Sequence, residues 1–290
     1  MSPAVLPLHS LTPGSDAARG RRDIETMLNY WRKPEDGQAS IDFREAGAEQ
    51  LFDELDNLEE SQRVTIHDIR GREAEYTIEK NGFQYIHHPI PEYNETWNEK
   101  RVVHALLPKT KELVEELTGA IKSLIYAHRV RCFYSGDRAP VHIVHSDFTS
   151  AGALQHLRTL ISESELNHLQ QTNTRILALN IWRPLGIVKK DPLAVCDWAS
   201  VNSTEDIIPN RFTFPDGWLE VAKMAYSKKH RWCYLSHQRP DEVLVFTQFD
   251  THRLGGRSVA HSAFVDPKYA KREEPRRSLE VGVFVFLENE

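Results

Sequence analysis

Apolar and polar positions alternate through most of the second half of the chain. Thr174–Trp182 is an almost unbroken apolar run, the pattern of a fully buried strand, and it stops at Arg183-Pro184-Leu185-Gly186. Pro192–Cys196 resumes as a strand, and Arg231–Tyr234 and Asp241–Phe246 are two more. The intervening Gln238-Arg239-Pro240 predicts a hairpin between those two. His261 opens another extended piece, and Ser278–Phe286 is the last strand. Earlier in the chain, Val64–Ile69, Tyr76–Ile78, Phe83–Ile90 and Arg129–Tyr134 also read as extended, with turns at Lys33–Gly37 and Asn81-Gly82.

Helical spacing is confined to three segments. Ala46–Leu58 places Leu51, Phe52, Leu55 and Leu58 on one face. Pro108–Ser123 does the same with Leu113, Val114, Leu117 and Ile121, continuing to Leu124, and Thr149–Ile161 with Leu154, Leu157 and Ile161. Asp23–Trp31 is a short apolar segment whose Tyr30 and Trp31 suit the core; the functional reading is a lid over a substrate. About eight strands from Arg129 onward, with connections that suit antiparallel pairing, indicate a mainly β chain with flanking helices, folded as a double-stranded β-helix, the cupin-like jelly roll. The expected organisation is a loose N-terminal tail over 1–22 and a single domain over 23–290. Within that domain, 23–128 forms a helical and extended flank and 129–290 the jelly-roll core.

Composition narrows the partners. The net charge of −6 and the lack of a Lys/Arg block argue against a nucleic-acid partner, and no apolar run approaches the ~20 residues of a membrane span. Residues 1–20 lack a secretory signal pattern. Cys132, Cys196 and Cys233 are odd in number and widely spaced, which fits reduced thiols in a cytoplasmic protein. A monomer or homodimer acting on a small molecule is the expected form.

Candidate chemistry starts at His145 and Asp147. Residues two apart on a strand share a face, so imidazole and carboxylate can reach one metal ion. Two ligands do not hold a metal, and His261 is the best distant third. Two His and one carboxylate are the facial set of non-haem Fe(II) oxygenases, which leaves positions open for O2 and a bidentate co-substrate. Farther on, Arg276-x-Ser278 sets a guanidinium and a hydroxyl on one face of the last strand, which suits the distal carboxylate of 2-oxoglutarate. His142 lies three residues from His145 and faces the other way, and His87-His88 point to opposite faces. Asn180 and Trp182 share a face, with Arg183 next to them. Arg183, Arg231 and Arg253 are candidate partners for a substrate carboxylate; Trp182, Trp232 and Tyr234 read either as core or as substrate-lining.

Several stretches taken together resemble the fungal hydroxylase/desaturase family of non-haem Fe(II)/2-oxoglutarate-dependent oxygenases. They are Asn29-Tyr30 with Pro34–Gly37, Val64–Glu73, His145–Thr149, Asn180–Pro184, Pro192–Asp197 and Asp241–Phe246, closed by His261 and Pro275-Arg276. The family includes gibberellin-desaturase-like and cephamycin-methoxylation-like proteins, and the resemblance spans roughly residues 25–286. It implies Fe(II), 2-oxoglutarate and O2 as cofactors, with succinate and CO2 as products. The reaction it implies is hydroxylation, desaturation or oxidative cyclisation of a small metabolite, an amino acid or a natural-product intermediate. His145, Asp147 and His261 are then the metal ligands, Arg276, Ser278 and Asn180 the co-substrate contacts, and Arg183, Trp182 and Tyr234 the substrate contacts. The family's closing strand often carries Arg where this chain has Gly282, and Glu where it has Arg277. Two other classes keep similar ligands: a non-catalytic cupin-like binding or accessory protein, and a zinc hydrolase, which has no use for Arg276.

Overall fold

A computed structural model describes residues 21–35, 39–131, 139–252 and 258–288. Most of the N-terminal tail, Cys132 and Arg253 lie outside the described residues. In chain order the elements are β1 (Ile24–Trp31), β2 (Ile41–Asp42), α1 (Ala48–Asp56), β3 (Glu59–Asp68), α2 (Ile78–Asn81), β4 (Phe83–His87), α3 (Glu99–Thr118) and β5 (Lys122–Arg131). Then follow β6 (His145–Ser146), α4 (Ser150–Arg158), α5 (Glu163–Gln171), β7 (Arg175–Pro184), β8 (Leu193–Cys196), β9 (Ile207–Phe214) and β10 (Gly217–Met224). β11 (Trp232–Tyr234), β12 (Glu242–Asp250), β13 (His261–Ala263) and β14 (Ser278–Leu287) close the chain.

The strands form two sheets. The larger runs β1-β3-β11-β8-β13-β6-β10-β9-β2 and the smaller β4-β12-β7-β14-β5. Between them lies a core drawn from both: Trp182, Leu244 and Phe246 of the small sheet meet Leu193, Val195 and Cys233 of the large one. These are the two walls of the double-stranded β-helix. Beyond the reach of the large sheet, α4 and α5 cover the same face of the small sheet, setting Leu157, Leu166 and Leu169 on Ile176, Ala178 and Phe284. On the opposite face lies α3, with Val102, Leu106, Leu113 and Val114 against Leu179, Ile181, Val281 and Val283. Each such side chain contributes roughly 1.5–3 kcal/mol by leaving water. Buried on both faces, β7 accordingly reads as a continuous apolar run.

Several expectations need correction. Within the helical and extended flank, β1, β2 and β3 join the large sheet and β4 the small one. The apolar segment before the first turn is strand β1, paired with β3 and buried at Ile24, Leu28, Tyr30 and Trp31; it is not a lid. Arg22 is tied down too, through an ion pair with Asp266 and a backbone bond to Asp68. Tyr76–Ile78 is not a strand: the Thr77 hydroxyl accepts from the Lys80 amide and caps α2. The central helix begins at Glu99, under an Asn98 cap, and ends at Gly119 in the left-handed region (φ 66°), so Ser123 and Leu124 belong to β5. Pro108 sits inside α3, where the buried face holds the helix across the missing amide. Finally, β11 and β12 lie in different sheets, so their connection is a crossing between walls rather than a hairpin.

Candidate metal centre

β6 and β13 pair antiparallel with His145 directly opposite His261. Their rings lie 4.4 Å apart, centroid to centroid. Asp147 follows β6 immediately; its Oδ1 is 3.8 Å from His145 Nε2 and 3.9 Å from His261 Nε2. One donor atom from each of the three lies within 4.8 Å of the others, the only such group of three or more among the described residues. Backbone carbonyls set the tautomers. His145 Nδ1 is 2.8 Å from the Ile143 oxygen and His261 Nδ1 3.3 Å from the Val259 oxygen. A carbonyl only accepts, so each Nδ1 carries the hydrogen and each Nε2 presents a lone pair to the same point. Burial, and after it the neighbouring His261, hold the His145 imidazole down at about 4, so it is neutral at physiological pH.

The carboxylate is held as firmly. Asn180, on β7 in the facing sheet, donates from Nδ2 to Asp147 Oδ2, which leaves Oδ1 turned toward the two imidazoles. Gln248 on β12 locks the backbone. Its Oε1 accepts from the Asp147 amide (2.9 Å) and the Ser146 hydroxyl (2.7 Å), while its Nε2 donates to the Val259 carbonyl (3.2 Å). Both ligand-bearing segments of the large sheet are thereby tied to the small one. Gln248 was not singled out in the sequence; its only signal is a polar side chain inside an apolar strand.

The three groups open into a pocket lined also by Arg129, Arg131, Trp182, Phe246, Arg276 and Glu280. Arg276 is 7% exposed and stacks its guanidinium 5.1 Å over the Trp182 ring, while its Nη1 donates to the Asp191 carbonyl. The Nε of Arg276 and the hydroxyl of the fully buried Ser278 have no hydrogen-bond partner. Buried donors without acceptors are costly, so the pocket calls for an acceptor at this end. Two imidazoles and a carboxylate suit a divalent metal, and a guanidinium with a hydroxyl suits a carboxylate; the residues present therefore fit Fe(II) and a keto diacid.

Comparison with known proteins agrees. A family model described as an oxidoreductase/permease-like domain matches residues 28–286. The hydroxylase/desaturase efuI of Hormonema carpetanum is 30% identical over 92% of this chain and 96% of its own. The chain belongs to the fungal hydroxylase/desaturase family of Fe(II)/2-oxoglutarate-dependent oxygenases. The alpha-ketoglutarate-dependent dioxygenase tstK of Talaromyces stipitatus is 28% identical over 77% of this chain and 84% of its own. The solved structure of the iron and alpha-ketoglutarate-dependent endoperoxidase NvfI superposes with a TM-score of 0.76 at 22% identity, covering 92% of this chain and 99% of that one; this likeness bears on the fold. The permease wording finds no counterpart in the helices: among the described residues none is long and apolar enough to cross a membrane. The oxygenase uses Fe(II), 2-oxoglutarate and O2.

Two candidate substrate contacts of the oxygenase lie elsewhere. Alternation along β7 turns Trp182 into the pocket and Arg183 to the opposite face. There Arg183 donates to the carbonyls of His88 (2.9 Å) and Pro240 (2.8 Å), fastening β7 to neighbouring loops. Tyr234 also faces away. Its hydroxyl donates to the Arg22 carbonyl (2.7 Å), and its ring packs against Phe264 on the outer side of the large sheet. Trp232 is core, donating to the Tyr30 hydroxyl, and Arg231 pairs with Asp197. His142 stands off the metal group, 3.6 Å from Asp191. Arg277 turns out of the pocket to the Glu95 carbonyl, leaving Arg276 as the inward guanidinium. Gly282 leaves no room for a side chain, since a Cβ there would run into the Tyr126 ring. Glu280 was also missed by sequence reading; burial, and then Asp147, push its carboxyl above the usual range.

Proposed function

We propose that His145, Asp147 and His261 hold Fe(II), that Arg276 and Ser278 receive the distal carboxylate of 2-oxoglutarate, and that the substrate is a small natural-product intermediate or amino acid. The observation that carries this reading is the donor set itself, two Nε2 lone pairs and one carboxylate oxygen each fixed from behind. When bound, the iron with 2-oxoglutarate and O2 supplies oxidative decarboxylation to succinate and CO2 and removal of hydrogen from an unactivated C–H bond. The chain supplies aim and dryness. Asn180 keeps Asp147 in place through its Oδ2, and the carbonyls of Ile143 and Val259 fix the two imidazoles. Trp182 and Phe246 form apolar walls, with Phe246 4.9 Å from His261, centroid to centroid.

The unpartnered Arg276 Nε and Ser278 hydroxyl favour a keto-diacid enzyme over a zinc hydrolase or a passive binding protein, neither of which needs them. Hydroxylation, desaturation and ring closure all begin with the same C–H step, and the relatives include hydroxylase/desaturases and an endoperoxidase. Cys196 and Cys233 are free and buried, in keeping with a reducing, cytoplasmic setting. The test is iron content together with O2-dependent succinate release. His145→Ala and Asp147→Ala should each lose bound iron and succinate formation. Full activity in either variant would remove the site.

A further inference from the structure

Among the described residues, eight buried side-chain polar atoms lack a hydrogen-bond partner, and three of them belong to residues that chain position and strand register bring together: Arg276 Nε, the Ser278 hydroxyl and Arg131 Nε. Arg131 ends β5 directly opposite Ser278 in the β5–β14 ladder. Residues opposed in an antiparallel pair project from one face, so Arg131 emerges beside the Ser278 hydroxyl, and Arg276 is two positions before Ser278. Both guanidiniums line the pocket of the three metal-ligand candidates. Arg131 is only 6% exposed. Its Nη1 donates to the Ala139 carbonyl (2.6 Å), and its Nη2 lies 3.8 Å from Glu280 Oε2, beyond hydrogen-bond distance.

Two guanidiniums buried side by side repel, and each leaves a donor without an acceptor. The Glu280 carboxylate, 3.8 Å from Arg131 Nη2, is too far for a hydrogen bond and leaves the Nε of Arg131 and of Arg276 without an acceptor. An anion seated against Ser278 would answer all three donors together. We propose that Arg131 is a co-substrate-binding residue, adding a second guanidinium to Arg276 and Ser278 around the distal carboxylate of 2-oxoglutarate. This rests on the reading that the keto diacid occupies the pocket. It makes that end of the pocket selective for a dicarboxylate, because a keto acid ending in a methyl group would leave three buried donors without an acceptor.

The test is anaerobic calorimetry of the Fe(II)-loaded full chain with 2-oxoglutarate and with 2-oxopentanoate, which has the same chelating end and no distal carboxylate. Arg131→Gln should raise the Kd for 2-oxoglutarate by about tenfold or more and that for 2-oxopentanoate by less than about twofold. Arg131→Lys should recover part of the loss. An unchanged Kd for 2-oxoglutarate would overturn the proposal. Equal weakening of both keto acids would also overturn it, marking Arg131 as a structural tie to Ala139. Iron-loaded wild-type protein that bound neither acid would fell the 2-oxoglutarate reading of the pocket, and Arg131's role with it.

Discussion

Asp147 would be a free rotor without Asn180. The amide takes one carboxylate oxygen and aims the other, and because it comes from the opposite sheet it reports how well the two walls are joined. Asn180→Ala should therefore weaken Fe(II) affinity by about tenfold to 100-fold with the circular dichroism spectrum unchanged; unaltered affinity would show that Asp147 is fixed by other means. Arg276→Lys should raise the 2-oxoglutarate requirement by about tenfold and leave iron binding intact, because an ammonium cannot supply the fork. An unchanged requirement would move the carboxylate elsewhere. At this scale the sequence was readable where the chemistry is local. His145 and Asp147 share a strand face by spacing alone, and so do Arg276 and Ser278. Arg183 and Tyr234 turn away from the pocket, and residue type says nothing about which face of a strand a side chain takes. Gln248 and Arg131 went unnoticed because their partners are distant in the chain, at Asp147, Val259 and Ser278.

Element boundaries depended on caps more than on periodicity. The apolar spacing of α3 runs past its true end, and only Gly119 in the left-handed region marks the stop. The strand-like Tyr76–Ile78 became a capped helix turn through one hydroxyl, that of Thr77. The supposed hairpin at Gln238–Pro240 failed for another reason: a turn says nothing about whether the next strand stays in the same sheet. Gly82, which ends α2, has consequences for the site. Its φ is 84°, and a Cβ there would lie 2.5 Å from Val259 Cγ2 and 2.7 Å from the Trp198 ring. Val259 also supplies the carbonyl that orients His261. Gly82→Ala should thus cost about 2–5 kcal/mol in denaturant unfolding, from left-handed strain and overpacking together, and should also weaken iron binding. A loss below about 1 kcal/mol would mean that this corner is slack.

For the whole molecule, the jelly roll was legible because β7, β12 and β14 are buried on both faces and leave an unmistakable apolar signature. The extra strands β9 and β10 were not, since only part of each faces the core. Folding also buries histidines in neutral form. His88 and His145 are held down to about 4, by burial first and then by Arg183 and His261 respectively; burial lowers His142, His156 and His230 as well. The unfolded chain takes up these protons near pH 6.5, whereas the folded chain resists them. Their contribution to the iron-free protein is thus fully present above about pH 6.5 and declines as pH falls toward 4. Glu59 and Glu280, with their carboxyls raised, have the opposite sign, and two groups do not offset five. The melting temperature of the iron-free protein should fall steadily between pH 6.5 and 4; a flat profile would show that these rings are solvated.

The most direct measurement is an anaerobic titration of the metal-free protein with Fe(II) and 2-oxoglutarate, followed by visible absorbance. A charge-transfer band that needs both components, appears at one equivalent of iron and is lost in His261→Ala is the expected result. Iron bound by His145, Asp147 and His261 with no band on adding the keto acid would contradict the assignment of this pocket to 2-oxoglutarate chemistry.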